Sequence, residues 1–151
     1  MKAVIQRTLN ASVIVDGKTV GRIGPGLVVL LGVAKGDDES DCRLLAEKVR
    51  TLRIFSDEQG KMNRSLMDIS GSVLLVSQFT LLGRTSNGRR PSFEMAAPLD
   101  EARRLYEHMA LQLRTEGTAV ETGVFGAHME VQMVNDGPVT FVLDSRPASD
   151  A

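Results

Sequence analysis

The chain has 151 residues, of which 42% are hydrophobic and 25% are charged, and its formal net charge at pH 7 is −1. This composition is typical of one globular domain, and it excludes a disordered chain and a protein that coats nucleic acid through overall positive charge. The longest apolar run, Leu27 to Leu31, is far shorter than the roughly 20 residues of a membrane span. With no secretory signal at Met1 to Gln6 and a single cysteine, a cytoplasmic location is expected.

The first part of the chain predicts three strands. Lys2 to Arg7 and Ala11 to Val15 have strand-like sequences, the second rich in β-branched residues. Asp16-Gly17 favours a two-residue type I′ turn, so Thr19 to Ile23 is expected to return antiparallel. A Gly-Pro-Gly break then precedes an apolar strand at Leu27 to Val33.

Two amphipathic helices are predicted. The first, Asp38 to about Arg50, begins with N-capping side chains and carries Cys42 on its apolar stripe, where a small core residue is expected. The second starts at Pro98, has acids in its first turn and ends at Gly117. His108 lies off the apolar stripe of this helix, and we expect it on the surface.

The remaining strands lie between and after the helices. An unbroken apolar run within Gly71 to Leu82 predicts a strand buried on both faces. Val120 to Val124, His128 to Val134 and Val139 to Leu143 predict three closing strands. The order of two strands, two strand-helix units and three strands predicts one α/β domain, with two packed β-sheets, two helices on one face and a barrel-like β core.

The domain is expected to span residues 1–145, and residues 146–151 are expected to form a flexible C-terminal tail. Residues 61–68 have no clear pattern, and the sequence does not place them in an element.

Polar residues interrupt this pattern at two places where a site is conceivable. Ser77-Gln78-Phe79-Thr80 follows the buried apolar run, and these side chains either bond neighbouring backbone or line a pocket. Gly137-Pro138 precedes the last strand, where a strand-start proline is expected and a cis bond is the less common alternative. Neither histidine has a serine or aspartate at the spacing of a catalytic triad.

A third candidate is the loop from Gly83 to Pro91. Its arginines, Arg84, Arg89 and Arg90, either bind phosphates or belong to a solvated surface loop. The sequence shows no Cys/His cluster of the kind that binds zinc, and neither a metal nor a cofactor is expected.

Taken together, three motifs resemble those of the D-aminoacyl-tRNA deacylase family. They are Ser77-Gln78-Phe79-Thr80, Gly88-Arg89-Arg90-Pro91-Ser92-Phe93 and Asn135-Asp136-Gly137-Pro138-Val139-Thr140. Each of these short motifs alone is a weak signal, but their combination at this spacing is specific. The resemblance covers essentially Met1 to Ser145.

This resemblance implies a homodimeric enzyme that hydrolyses the ester between a D-amino acid and the terminal adenosine of tRNA. Ser77, Gln78, Phe79 and Thr80 of one subunit would hold the adenosine and aminoacyl group. Gly137 and Pro138 of the other subunit, joined by a cis bond, would form a chiral filter. Arg7 would brace the Gly-Pro loop, Val139 and Thr140 would support it, and the loop arginines would contact tRNA.

The resemblance has one local departure and leaves two questions open. Members often carry a basic residue where this chain has Asn87, so tRNA contact by the loop is a weaker inference than the pocket. Thr80 is either a nucleophile, which needs an adjacent base, or a scaffold for a substrate-assisted reaction. A non-enzymatic RNA-end or nucleotide-binding module and an unrelated small-ester hydrolase are the alternative functions.

Overall fold

The structure, a computed structural model, describes residues 1–147 and contains eight strands, two α-helices and a one-turn 3₁₀ helix in that part of the chain. In chain order the elements are β1 Lys2–Val15, β2 Lys18–Ile23, β3 Gly26–Gly32, α1 Glu39–Thr51, β4 Phe55–Ser56, β5 Met62–Arg64, β6 Ser72–Ser77, the 3₁₀ helix Phe79–Leu82, α2 Leu99–Thr115, β7 Ala119–Thr122 and β8 Glu130–Asp144.

The first hairpin forms where the turn residues predict it. Asp16 and Gly17 have φ values of 49° and 75°, and a type I′ turn requires positive φ at both central positions. Val15 pairs with Lys18 across this turn. The two strands predicted before the turn are one continuous strand, β1, because partner strands supply ladder hydrogen bonds along its whole length.

Six strands form one sheet in the order β2-β1-β3-β6-β7, with β8 paired to the other edge of β1. Strands β3, β6 and β7 are parallel, and their crossover connections contain α1 and α2. Strand β2 lies against β6 and β7, so the sheet curls into a nearly closed barrel. The predicted α/β class is therefore confirmed, and the second sheet is the small β4-β5 hairpin.

The sheet buries side chains on both faces. On one face, both helices pack against the odd-numbered residues of β6. This cluster includes Leu75 of β6 and Leu105, Met109 and Leu113 of α2. The curl of the sheet encloses a smaller cluster on the other face: Ala11, Val13, Ile23, Val28, Leu74 and Val76. Each fully buried aliphatic side chain stabilises the fold by about 1.5–3 kcal/mol. Double burial explains why β6 has no apolar-polar alternation.

The predicted break between the last two strands is wrong, because β8 runs continuously from Glu130 to Asp144. Both of its parts pair with β1. Thr8 faces Asn135 and Gln6 faces Thr140, so residues 136–139 stand opposite Arg7 alone. The Gly-Pro segment is therefore a four-residue bulge within one strand, which interrupts the ladder without ending it.

Two residues of the helices test the sequence-based expectations. Cys42 is fully buried. Burial and the nearby charge of Asp41 raise the pKa of its thiol to about 11, so Cys42 is a core residue as predicted. The prediction that His108 is a surface residue is wrong, because it is half-buried and its Nε2 has no hydrogen-bond partner within residues 1–147.

Helix α1 begins at a capping box that also anchors the end of the described chain. The Asp38 side chain accepts from the N–H groups of Ser40 and Asp41, and Asp41 accepts in return from the Asp38 N–H. Arg146, which belongs to the predicted tail, donates to both carboxylate oxygens of Asp41 at 3.0 and 2.7 Å. Tail residues 148–151 lie outside the described residues. In residues 1–147, neither helix has the length and apolarity needed to cross a membrane.

The Asp41 contacts make the stability of the fold depend on pH. Burial by itself raises the pKa of Asp41, but hydrogen bonds from Arg146, Ser145 and the Asp38 N–H outweigh it, and the pKa falls from 3.8 to about 2. A depressed folded-state pKa contributes stability that is complete above the unfolded value and is lost as pH falls toward the folded value.

We predict that Arg146→Ala lowers the free energy of unfolding by about 1–2 kcal/mol at pH 7, because it leaves a buried carboxylate without its cation. The difference from the wild type should shrink between pH 4 and pH 2, as Asp41 becomes protonated. Urea unfolding at pH 7 and at pH 2 measures this difference in the free energy of unfolding, with the exposed Arg43→Ala on the same helix as control. An equal loss at pH 7 and pH 2 would contradict the linkage.

Candidate active site

A cavity of about 500 Å³ opens beyond the carboxyl end of β6. Ligands in open α/β sheets bind outside the carboxyl ends of the parallel strands, which makes this cavity the leading candidate site. Strands β3 and β6, the start of α2 and the segment between β7 and β8 contribute the lining: Leu31, Val33, Val76, Ser77, Gln78, Phe79, Ala96, Ala97, Leu99, Ala102, Tyr106, Phe125, Gly126, Ala127, His128, Met129 and Val131.

Three residues of the Ser77-Thr80 motif line this cavity, and the strand predicted within Gly71 to Leu82 includes only Ser77 of the motif. Strand β6 ends at Ser77, and the Gln78 N–H donates to the Leu31 carbonyl at 2.8 Å. Beyond that bond the chain passes so close to Gly32 that a Cβ there would lie 2.9 Å from the Gln78 carbonyl oxygen. The chain then turns into the 3₁₀ helix Phe79–Leu82, and the absence of a side chain at Gly32 leaves room for this turn.

The turn exposes Phe79 and Thr80 and leaves two backbone donors free. The first N–H groups of any helix lack an intrahelical acceptor. Here the N–H groups of Phe79 and Thr80 have no acceptor among residues 1–147, whereas the Leu81 N–H already donates to the Gln78 carbonyl at 3.2 Å. Two adjacent free donors beside a cavity can stabilise a negatively charged oxygen.

The Thr80 hydroxyl accepts a hydrogen bond from the Gln78 side-chain amide. No histidine or carboxylate within residues 1–147 forms a hydrogen bond with it. His128 lies on the cavity lining, but its imidazole forms no hydrogen bond within the described part of the chain. Since an amide cannot remove a proton, the arrangement around Thr80 lacks the base that a threonine nucleophile requires.

The second motif, the bulge of residues 136–139, is fastened to the sheet by Arg7. This side chain is 8% exposed. Its Nε donates to the Asp136 carbonyl at 3.0 Å and lies 3.3 Å from the Asp136 carboxylate, while its Nη1 donates to the Ile54 carbonyl at 2.9 Å. The contact between Arg7 and the Gly-Pro loop therefore exists in the structure.

Within the bulge, the Gly137-Pro138 peptide is cis and both residues are exposed. Gly137 has φ of 131°, and a Cβ at this position would lie 2.7 Å from the Val139 Cγ2. Glycine is therefore required here. Val139 is buried, and its N–H donates to the Asn135 side chain at 3.0 Å.

Thr140 returns β8 to the ladder. Its hydroxyl accepts from Gln6 Nε2 and Asn135 Nδ2, both at 3.3 Å. The side-chain contacts of Asn135, Val139 and Thr140 thus fix both ends of the bulge.

One chain does not bring the two motifs together. Ser77 is level with Leu31 and, through it, with Ala3 of β1, whereas the bulge is level with Arg7. Three steps between strands and four residues along β1 separate them, a path of about 20 Å along the curved surface of the sheet.

The basic loop closes at its base through paired backbone hydrogen bonds between Arg84 and Ser92. Arg84, Arg89 and Arg90 are exposed, and within residues 1–147 none of them lies within 4.0 Å of a carboxylate. These charges are available to an anion.

The sequence pattern does not indicate the aromatic wall of the cavity, formed by Tyr106 and Phe125. Tyr106 has the helical spacing of a core residue, and its hydroxyl donates to the Leu75 carbonyl at 2.8 Å. Burial raises the pKa of Tyr106 to about 12, so the phenol stays neutral. Phe125 lies on an irregular segment and contacts Tyr106 with ring centroids 5.5 Å apart.

Comparison with known proteins accords with this geometry. A family model described as D-Tyr-tRNA(Tyr) deacylase matches residues 4–144. The chain belongs to this family. Curated relatives named D-aminoacyl-tRNA deacylase include one from Pelobacter propionicus, 59% identical over 95% of this chain and 99% of its own length. Another, from Geobacter sulfurreducens, is 56% identical over 100% and 99%. As a member of this family, the chain is a hydrolase.

Two solved structures share the fold of this deacylase-family chain. One, described as a c-Myc DNA unwinding element binding protein, has a TM-score of 0.92 and 41% identity over 98% of this chain and 100% of its own. The other is described as a probable eukaryotic D-amino acid tRNA deacylase. It has a TM-score of 0.78 at 20% identity, which supports the shared fold alone.

Proposed function

We propose that the chain hydrolyses the ester of D-aminoacyl-tRNA, and also that of glycyl-tRNA, as a chiral proofreading step in translation. The observation that carries this proposal is the pair of free amide donors at Phe79 and Thr80 beside an apolar cavity, in a chain of the deacylase family. Because charged tRNA is consumed in the cytoplasm, the enzyme is expected to act there.

The cavity takes the part of the substrate that every aminoacyl-tRNA shares, the terminal adenosine. Its volume of about 500 Å³ lies in the range of small-molecule sites, roughly 300–1,000 Å³. Aromatic and apolar side chains offer surfaces on which a base can stack. Ser77 and Gln78 place polar groups at the cavity floor, where they can bind the ribose or the aminoacyl group.

The reaction needs a water molecule and no covalent intermediate. The water oxygen attacks the ester carbonyl carbon, and the free N–H groups of Phe79 and Thr80 donate to the oxyanion that develops. The neighbouring ribose hydroxyl of the substrate helps to activate the water. The C–O bond to the ribose then breaks, and the ribose oxygen takes a proton. The products are the free amino acid and tRNA. Thr80 acts as a scaffold in this scheme.

Gly137 and Pro138 of a partner subunit form the chiral filter. They are exposed on a bulge that Arg7 fastens, three strand steps and four residues of register away from Ser77 of their own chain, so in this proposal a second copy supplies them. A filter that excludes the L side chain gains its specificity from repulsion. It therefore accepts many D side chains, and it cannot refuse glycine.

An apolar surface beside this bulge supports a homodimer. Strand β8 pairs with β1 along one edge, and within residues 1–147 its other edge has no strand partner. Large apolar side chains stay exposed on these two strands: Leu9 (51%), Val134 (46%), Phe141 (40%) and Val142 (72%). Exposed apolar side chains along a strand edge without a partner favour an interaction site there.

The loop arginines supply the contacts to tRNA. Arg84, Arg89 and Arg90 have no carboxylate partner in the described part of the chain, and guanidinium groups bind phosphate with two hydrogen bonds. Such contacts release counterions, so they make the affinity for tRNA fall steeply with salt.

A non-enzymatic nucleic-acid-binding module is the second candidate, and the described function of the 41% identical structure favours it. Incubation with matched D-tyrosyl-, L-tyrosyl- and glycyl-tRNA separates the candidates. We expect rapid release of D-tyrosine and glycine and none of L-tyrosine. No hydrolysis of any substrate would favour the binding module. Equal hydrolysis of the D and L forms would indicate a nonspecific esterase, and intact glycyl-tRNA beside cleaved D-tyrosyl-tRNA would contradict the filter.

The role of Thr80 is testable by substitution. Thr80→Ala should keep turnover of D-tyrosyl-tRNA within about threefold of wild type, because the backbone amide of residue 80 is retained and oxyanion stabilisation by such donors is the larger effect. Single-turnover kinetics measure the rate. An aminoacyl-enzyme trapped on the wild type by rapid acid quench would overturn the substrate-assisted scheme.

The shared site predicts that a monomer is inactive. Val142→Arg places a charge in the proposed interface, so we expect a monomer by sedimentation equilibrium and loss of D-tyrosyl-tRNA hydrolysis. Leu111→Arg, at an exposed position of α2 with 61% exposure, is the matched control and should stay dimeric and active. A monomeric Val142→Arg protein with full activity would contradict the proposal of a shared site.

A further inference from the structure

Arg103 is an exposed cation on α2 that contacts an aromatic ring. Its guanidinium carbon lies 5.1 Å from the centroid of the Phe125 ring. No carboxylate among residues 1–147 lies within 4.0 Å of the Arg103 guanidinium. The next residue, Arg104, is also exposed but pairs with Glu39 at 3.2 Å. Arg103 therefore contacts an aromatic ring, whereas Arg104 forms an ion pair.

The Phe125 ring is part of the cavity wall and is partly buried against the core. It lies between β7 and β8, where Gly123 and Ala127 are the residues of segment 123–129 whose N–H groups form backbone hydrogen bonds in the described structure. Its orientation depends on side-chain contacts. Two residues of α2 contact the ring: Tyr106, whose hydroxyl donates to the Leu75 carbonyl, and Arg103.

We infer that Arg103 is a positioning residue that holds the Phe125 ring as a fixed stacking surface for the adenine base. This inference rests on the proposed function, which places the terminal adenosine in the cavity. A cation over a ring face is attracted by the ring quadrupole. A ring that is already held loses less side-chain entropy when a base stacks on it, so the base binds more tightly. Arg103 itself does not line the cavity and acts through Phe125.

Three substitutions separate the cation from the stem of the side chain. Arg103→Ala removes both, Arg103→Met keeps an apolar stem, and Arg103→Lys keeps a cation. Arg104→Ala is the matched control, because it removes the same charge one residue away. Adenosine is the probe, measured by isothermal titration calorimetry. Because adenosine is neutral, its affinity does not report a general loss of positive charge.

The expected result is a loss of adenosine affinity of about two- to fivefold in Arg103→Ala and Arg103→Met, the range that an exposed cation-ring contact supports. Arg103→Lys should fall between these variants and the wild type, and Arg104→Ala should match the wild type. For D-tyrosyl-tRNA, the KM should rise by a similar factor with kcat unchanged. A purely structural role would instead lower the melting temperature and leave adenosine affinity unaltered.

The outcomes distinguish this inference from the proposed function. Wild-type affinity for adenosine in Arg103→Ala and Arg103→Met overturns the positioning role, while D-tyrosyl-tRNA hydrolysis by the wild type still supports the function. Failure of the wild type to bind adenosine, or an equal loss in Arg104→Ala, also overturns the positioning role. The expected adenosine pattern without any hydrolysis supports the positioning role and overturns the proposed enzyme function.

Discussion

Strand β1 has ladder partners along both of its edges, and both candidate motifs take their positions from this pairing. On one edge β3 and then β2 pair with successive parts of β1, and on the other edge β8 follows it with two shifts of register, the larger of them opposite Arg7. Since β6 continues the ladder from β3, the end of β6 is fixed relative to the same strand. Hydrogen-bond register therefore separates the Gly137-Pro138 bulge from the cavity within one chain, and a site that used both, as proposed, would need a second copy.

The bulge opposite Arg7 is stabilised because the buried guanidinium of Arg7 requires hydrogen-bonding and charged partners. Arg7 lies beneath the bulge with 8% of its surface exposed, and burying a charge is unfavourable unless it is paired and hydrogen-bonded. Arg7 donates hydrogen bonds to the Asp136 and Ile54 carbonyls and lies beside the Asp136 carboxylate. These bonds tie the bulge to the segment after α1. The exposed peptide at Gly137 thus projects from a backbone that is held on its inner side, as a steric filter requires.

Local signals predicted the elements whose conformation is set by neighbours in sequence. Asp16-Gly17 and the Asp38 cap belong to this group, since the turn and the capping bonds involve adjacent residues. The end of β6 at Ser77 was not predicted, because the turn that follows packs against Gly32, which is distant in sequence. Pairing with β1 carries β8 across Gly137-Pro138, which sequence alone indicates as a break. Phe125 has no periodic pattern around it, so its place in the cavity wall depends on tertiary packing.

Under the proposed function, the separation of the cavity from the Gly137-Pro138 bulge divides recognition into two physical tasks. An apolar cavity that binds the adenosine common to all substrates would contribute affinity without distinguishing one amino acid from another. Discrimination would then depend on a rigid surface that an L side chain would strike. Attractive pockets distinguish substrates differing by one methylene by only about 1–3 kcal/mol, whereas a clash with fixed backbone is not limited in this way. A steric filter discriminates only against atoms that it touches. Tolerance of diverse D side chains and of glycine would therefore have the same physical origin as the rejection of L side chains.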